Sequence, residues 1–388
     1  MIFKKGEVAE WLKAHAWKAC ILLKVSRVRI PFSPPKIEMN NLLKIIIFNT
    51  SIFLFLLILT DLFFGSWFTN KNFGSTIREQ RNIKKFFVAD VNGKKIKYVF
   101  ERNELGFIGK NLDPKSIKIV FEGGSTGEQM YTPPQYRIVD LLNSYFAKEG
   151  FSFNIINASK GGKTTRGYVN DFANWFPKIN NFNPQIVIFY IGINDSVLDF
   201  PDHFDKIEKD QLSEKVEDYL KNNSFFYKLK VDLQNTFNPR MRLAYDITKV
   251  KNDLYKNYKY INYYEASSIH TNLDASPQEI NLLNNFKNNL DNLNFFIKKN
   301  KIIPIFITQI RYDGLASKNL FLINEFLKKF CALNNYNVIK VDELVEVMDK
   351  FDFYDEMHTT VNGSIKLAKI IYPELKENFK KIMILKDH

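Results

Sequence analysis

Four short stretches hold the residues whose types suit covalent chemistry. "FEGGSTGE", Phe121–Glu128, ends an apolar run and sets Ser125 directly behind Gly123 and Gly124. A serine on a tight bend at a strand's end is exposed, and neighbouring backbone N–H groups can face a developing oxyanion. The same string also suits a surface turn or a glycine-rich cradle for phosphate. "NASKGGKTT", Asn157–Thr165, and "IGINDS", Ile191–Ser196, close two further apolar runs with small and polar residues. Near the C-terminus, "YDEMHTTVNG" places Asp355 three residues before His358. A serine hydroxyl is a poor nucleophile until an imidazole takes its proton, and a carboxylate can orient that imidazole.

Each stretch alone has an ordinary reading. His358 could cap a helix or sit on the surface, and Asn194-Asp195 could cap a helix after the third apolar run. His203, eight residues past Asp195, rivals His358, and Asp352 rivals Asp355. Arg311, after "IFITQI", suits either an anionic substrate or a structural ion pair. Cys20 and Cys331 stand far apart without metal-ligand spacing and imply no disulfide framework. No metal and no cofactor is expected.

The surrounding elements explain how such distant residues could meet. "IKIVFE", "SFNIINA", "QIVIFYIG", "KIIPIFIT" and "YNVIKVD" read as strands. The third is apolar throughout, as in a parallel strand buried on both faces. Amphipathic helical stretches alternate with them: "QYRIVDLLNSYFAKEG", "TTRGYVNDFANWFPKI", "KNLFLINEFLKKFCALNN" and one from about Val361 that Pro373 should bend or interrupt. A further helix starts with Ser276 as N-cap, Pro277 as first helical residue and Glu279 as capping-box partner. This alternation predicts a three-layer α/β/α domain with a parallel sheet over residues 115–380, interrupted by a largely helical insertion at about 200–275. In such a sheet, ligands bind beyond the carboxyl ends of the strands. The first three motifs therefore converge on one edge, and a C-terminal loop can bring His358 there.

In that order and at those strand ends, the motifs resemble the SGNH (GDSL-like) hydrolases, whose blocks carry Ser, Gly, Asn and His. Gly124 stands where that family usually has aspartate, so "GGSTGE" resembles a Gly-Gly-Ser-Thr variant followed by Glu128. The resemblance implies Ser125 as nucleophile and His358 as general base, with Asp355 supporting its imidazolium. It implies an oxyanion hole from the N–H groups of Ser125 and Gly162 and the side-chain amide of Asn194, with Gly161 adjacent to Gly162. Glu128 and Arg311 are candidates for binding substrate. The implied activity is a serine esterase acting on acyl esters, with O-acetyl groups of surface glycans as the expected class. Acyl transfer by the same residues is an alternative. A non-catalytic, membrane-tethered glycan-binding or assembly protein is another. A nucleotide-binding loop fits poorly, because "GGSTGE" lacks the lysine and spacing of a Walker A motif.

Before this domain, Ile45–Phe64 is apolar over about the 20 residues a bilayer-spanning helix needs. Residues 42–66 are expected to be an uncleaved signal anchor, placing the catalytic domain on the exported side. Residues 67–114 form a linker and a hairpin about Asn92-Gly93. Residues 1–38 resemble the peptide made when a transfer-RNA gene is translated, with Met39 as the natural start. The chain of 388 residues carries a net charge of +13, 36 phenylalanines and 45% hydrophobic residues. Its lysines are dispersed among Asn and Glu, which fits a solvated surface, and no nucleic-acid partner is expected.

Overall fold

A computed structural model describes residues 39–68, 81–91, 93–197, 216, 219–220, 223–238, 241–243, 259–272, 274–344 and 348–384. The leader 1–38, His203 and half of the 200–275 insertion lie outside the described residues. The chain divides into two compact units, Met1–Leu59 and Thr60–His388. The first unit holds most of α1 (Met39–Phe64), a helix with no polar stripe. Among the described residues it is the one helix long and apolar enough to cross a membrane.

The second unit begins with a hairpin, β1 (Ile83–Val91) and β2 (Lys94–Arg102), antiparallel with Val91 opposite Lys94. Gly93 takes φ +79° in the connecting turn, the left-handed conformation an Asn-Gly pair favours. The core then follows as β3 (Ile119–Gly123), α2 (Ser125–Glu128), α3 (Ile138–Lys148), β4 (Ile155–Asn157), α4 (Thr165–Asn170) and β5 (Ile186–Tyr190). The insertion contributes α5 (Phe225–Phe237), β6 (Met241–Leu243) and α6 (Tyr263–His270). The chain ends with α7 (Pro277–Lys299), β7 (Ile303–Ile307), α8 (Lys318–Asn334), β8 (Asn337–Ile339) and α9 (Val361–Ile384).

The five core strands pair in parallel in the order β4-β3-β5-β7-β8. Their apolar character has a direct cause: both faces are covered. Val120, Val187, Phe189 and Phe306 pack on one side with Phe286 and Leu290 of α7 and Leu327 of α8. Phe121, Ile188, Tyr190 and Ile307 pack on the other with Leu142 and Phe146 of α3 and Ile371 and Leu375 of α9. The result is a three-layer α/β/α arrangement. After β3 the chain moves outward to β4 and then returns to the other side of β3 as β5. That reversal opens a crevice between the ends of β3 and β5, where such sheets bind ligands.

The capping box at Ser276 and Glu279 forms as the sequence predicts. Pro373 does not interrupt α9, which continues through it. Ile371, Leu375 and Phe379, buried on either side of the proline, hold the helix against the sheet despite the missing N–H. The hairpin packs Phe87, Tyr98 and Phe100 against Val361 at the head of α9, with Met130, Tyr131 and Tyr354 alongside. β6 extends the hairpin into a three-stranded sheet by pairing in parallel with β1. At three residues inside a polar insertion, it left no strand pattern to read.

Candidate active site

At the end of β3 the chain turns through Gly124, and α2 starts at Ser125. A Cβ on Gly124 would lie 2.5 Å from Asn194 Nδ2, so the aspartate usual in the resembled motif has no room here. Gly127 is equally constrained, since a Cβ there would meet Ser159 Oγ at 2.6 Å. Ser125 Oγ lies 2.7 Å from His358 Nε2. On the far side of the ring, His358 Nδ1 lies 2.7 Å from Asp355 Oδ2 and 3.0 Å from Oδ1. An Nδ1–H donating to Asp355 leaves Nε2 free to accept the serine proton, the tautomer this network requires.

A tight turn makes the three-residue spacing work. Phe353 bridges Thr359, and Tyr354 N–H donates to His358 O at 3.0 Å. Asp355 Oδ1 accepts the backbone N–H groups of Met357 (2.9 Å) and His358 (2.8 Å). Burial pushes the Asp355 carboxyl up, but the bonds from the His358 ring and these two amides outweigh it, and its pKa falls below the ordinary value. The Tyr354 ring stacks on His358, centroids 5.6 Å apart, and limits the imidazole's swing.

The candidate oxyanion donors come from three different loops. Among the described residues, the N–H groups of Ser125 and Gly162 have no protein acceptor. Gly162 adopts φ +74°, which favours glycine. The neighbouring Gly161 is different: its N–H donates to Glu128 Oε2 at 2.8 Å. A Cβ on Gly161 would lie 3.9 Å from Ser125 Cβ, so this loop runs beside the serine. Asn194 Nδ2 donates one hydrogen to Lys163 O at 2.8 Å, which orients the amide and leaves its second hydrogen.

Cross-ties hold the four loops in register, and most were not foreseen from sequence. Arg102, 2% exposed at the end of β2, donates to Glu128 Oε1 (2.8 Å), Ser159 O (2.6 Å) and Gly106 O (2.8 Å). Lys163 Nζ pairs with Glu122 at 3.0 Å and with Asp171, in a buried triad under the second loop. Glu122 was the available signal, because a carboxylate inside an apolar strand requires a partner. Gln129 Nε2 donates to Thr359 Oγ1 (3.0 Å) and Ser364 Oγ (2.7 Å), joining the serine loop to the histidine loop. Gln309, after β7, donates to Thr126 Oγ1 (2.9 Å) and accepts from Ile193 N (2.7 Å). Asp195 accepts the Thr165 N–H at 3.0 Å, joining the second and third loops.

Two candidate substrate contacts have structural partners instead. Glu128 has both oxygens engaged, by Arg102 and Gly161, so it braces a loop rather than facing substrate. Arg311 is ion-paired with Glu356 (3.0 Å) and Asp313 (3.4 Å), which balance its charge. The rival acid Asp352 is buried and bonded to Lys366 Nζ at 2.8 Å. Among the described residues, no group of three or more His, Cys, Asp or Glu side chains could hold a metal ion.

No protein-family profile matches the chain, and no curated protein matches it. Solved structures do. A lipase/acylhydrolase from Enterococcus faecalis is 16% identical, with 68% of this chain and 96% of that one covered at a TM-score of 0.39. TesA is 13% identical, covering 67% and 98%, at 0.39. A mutant of Axe2, an acetyl-xylooligosaccharide esterase from Geobacillus stearmophilus, is 14% identical, covering 66% and 93%, at 0.39. Likenesses at this level assign no residue its role, and the functional reading rests on this chain's own geometry.

Proposed function

We propose that the protein is a serine esterase of the SGNH type, held at a membrane by α1. The observation that carries this reading is the unbroken chain Ser125 Oγ–His358–Asp355, with a 2.7 Å contact at each link. His358 takes the Ser125 proton as Oγ attacks the ester carbonyl, and Asp355 stabilises the imidazolium that forms. The N–H groups of Ser125 and Gly162 and the Asn194 amide stabilise the oxyanion. His358 then returns the proton to the departing alcohol, leaving an acyl-Ser125 ester. Water, activated by the same imidazole, releases the acid and restores the hydroxyl. With α1 as a signal anchor, the catalytic unit lies on the exported side, and O-acetyl esters of glycans at that surface are the proposed substrates. A sugar hydroxyl replacing water would give acyl transfer from the same intermediate.

Full-length protein in detergent is expected to hydrolyse aryl acetates and to release acetate from acetylated glycans, with both activities lost in Ser125→Ala. Product analysis with added acceptor sugars separates hydrolysis from transfer. Aryl-acetate turnover that survives in Ser125→Ala would remove the serine mechanism.

A further inference from the structure

We infer that α5 lies on a lipid surface, with Leu229, Leu233 and Phe237 set into the boundary between headgroups and acyl chains. The inference rests on reading α1 as a membrane anchor. α5, "FFYKLKVDLQNTF", is amphipathic: Leu229, Leu233 and Phe237 recur at four-residue intervals, with Phe226 one turn earlier. In a soluble protein such a stripe ordinarily turns inward. Here Leu229 is 39% exposed, Leu233 47% and Phe237 81%, and no residue of the helix is buried.

The start of α5 identifies lipid as the occupant. Asp61–Trp67, the last turn of the apolar span and the residues just beyond it, are bonded to the first residues of this helix. Asp61 Oδ1 accepts from Ser224 Oγ at 2.9 Å and from Phe226 N–H at 3.1 Å, and Trp67 Nε1 donates to Asp61 Oδ2 at 3.1 Å. Ser66 N–H donates to Asn223 O at 2.8 Å, and Lys228 Nζ to Ser66 Oγ at 2.7 Å. Asp61, which looks like a flaw in the apolar span, therefore satisfies a free N–H in the first turn of α5. A spanning helix brings Asp61–Trp67 to a bilayer interface, and these bonds bring the head of α5 with them.

Other exposed apolar groups gather at the same joint. Phe68 is 83% exposed and Leu220 46%, and the Tyr219 ring lies 5.6 Å from that of Trp67. Aromatic side chains favour the headgroup level, and an amphipathic helix of this kind lies in the interface plane. The second unit would thus touch lipid at a place beyond the span itself.

The test uses the full chain in vesicles of phosphatidylcholine and phosphatidylglycerol. Cys20→Ser removes one thiol, and Cys331 is fully buried. A bimane on Leu233→Cys is compared with one on Lys287→Cys, an exposed α7 position, using lipids that carry a doxyl quencher high on the acyl chain. The expected result is a blue shift and severalfold stronger quenching at position 233 than at 287. Equal quenching at the two positions, in protein that resists alkaline extraction, would overturn the inference and leave the anchor standing. Cross-linking between copies through position 233 without quenching would overturn it in favour of self-association. Release of the protein by alkali would overturn the anchor, and the inference with it.

Discussion

The loop edge that carries Ser125 and the face that carries α5 belong to one unit but use their side chains in opposite ways. At the edge, charges are buried in partnership: Arg102 with Glu128, and Lys163 with Glu122 and Asp171. At the face, Leu233 and Phe237 stand open to the surroundings. A catalytic edge needs donors held to fractions of an ångström, and satisfied buried polar networks supply that rigidity. An exposed apolar stripe supplies no rigidity; it marks contact with another apolar phase.

The comparison breaks most sharply at His358. His358→Ala is expected to lower turnover by about 10⁶-fold, with only a modest fall in the thermal transition from the lost bond to Asp355. Lys163→Met is expected to act on stability instead. It removes the buried cation that pairs with both carboxylates and should cost about 3–5 kcal/mol, read as a lower denaturation midpoint. Neutralising Glu122 and Asp171 in the same chain should recover much of that loss. Asn194→Ala is expected to lower turnover by about 10²–10³-fold, with little change in KM, if its free amide hydrogen meets the oxyanion.

A pH-dependent effect follows from Asp355. Its lowered native pKa means that its contribution to stability is present above the ordinary carboxyl value of about 3.9 and is lost as pH falls through the native value. Wild type and Asp355→Asn should therefore differ in denaturation midpoint at neutral pH and converge in acid. The smallest effect belongs to the other region. Leu233→Ser should change stability in detergent by no more than about 0.5 kcal/mol, because that side chain is 47% exposed. A larger loss would mean that the α5 face is a core face.

The sheet was legible because its strands are apolar on both faces, and the motifs were legible because each is contiguous. Ser125, Asp355 and His358, picked out by residue type and order, are within hydrogen-bonding distance of one another as a chain. The ties between loops were not legible. Arg102 sits in a hairpin that alternates charge with apolar residues, and nothing local distinguishes it from the solvated Lys95 or Lys97. Gln129 reaches Ser364 across 235 positions of sequence. Glu128 and Arg311 stay open between substrate contact and structural partner in the sequence, because the Arg102 and Glu356 side chains that engage them lie 26 and 45 positions away. Asp61 stands as a lone charge in an apolar span, and its acceptor role depends on Ser224 and Phe226, 163 and 165 positions away.

The central claim is that Ser125 is a nucleophile activated by His358. Full-length protein in detergent, treated with a fluorophosphonate and mapped by peptide mass spectrometry, tests it directly. The account predicts one adduct, on Ser125, absent in Ser125→Ala and formed far more slowly in His358→Ala. An adduct on another residue, or labelling at an undiminished rate in His358→Ala, would contradict it.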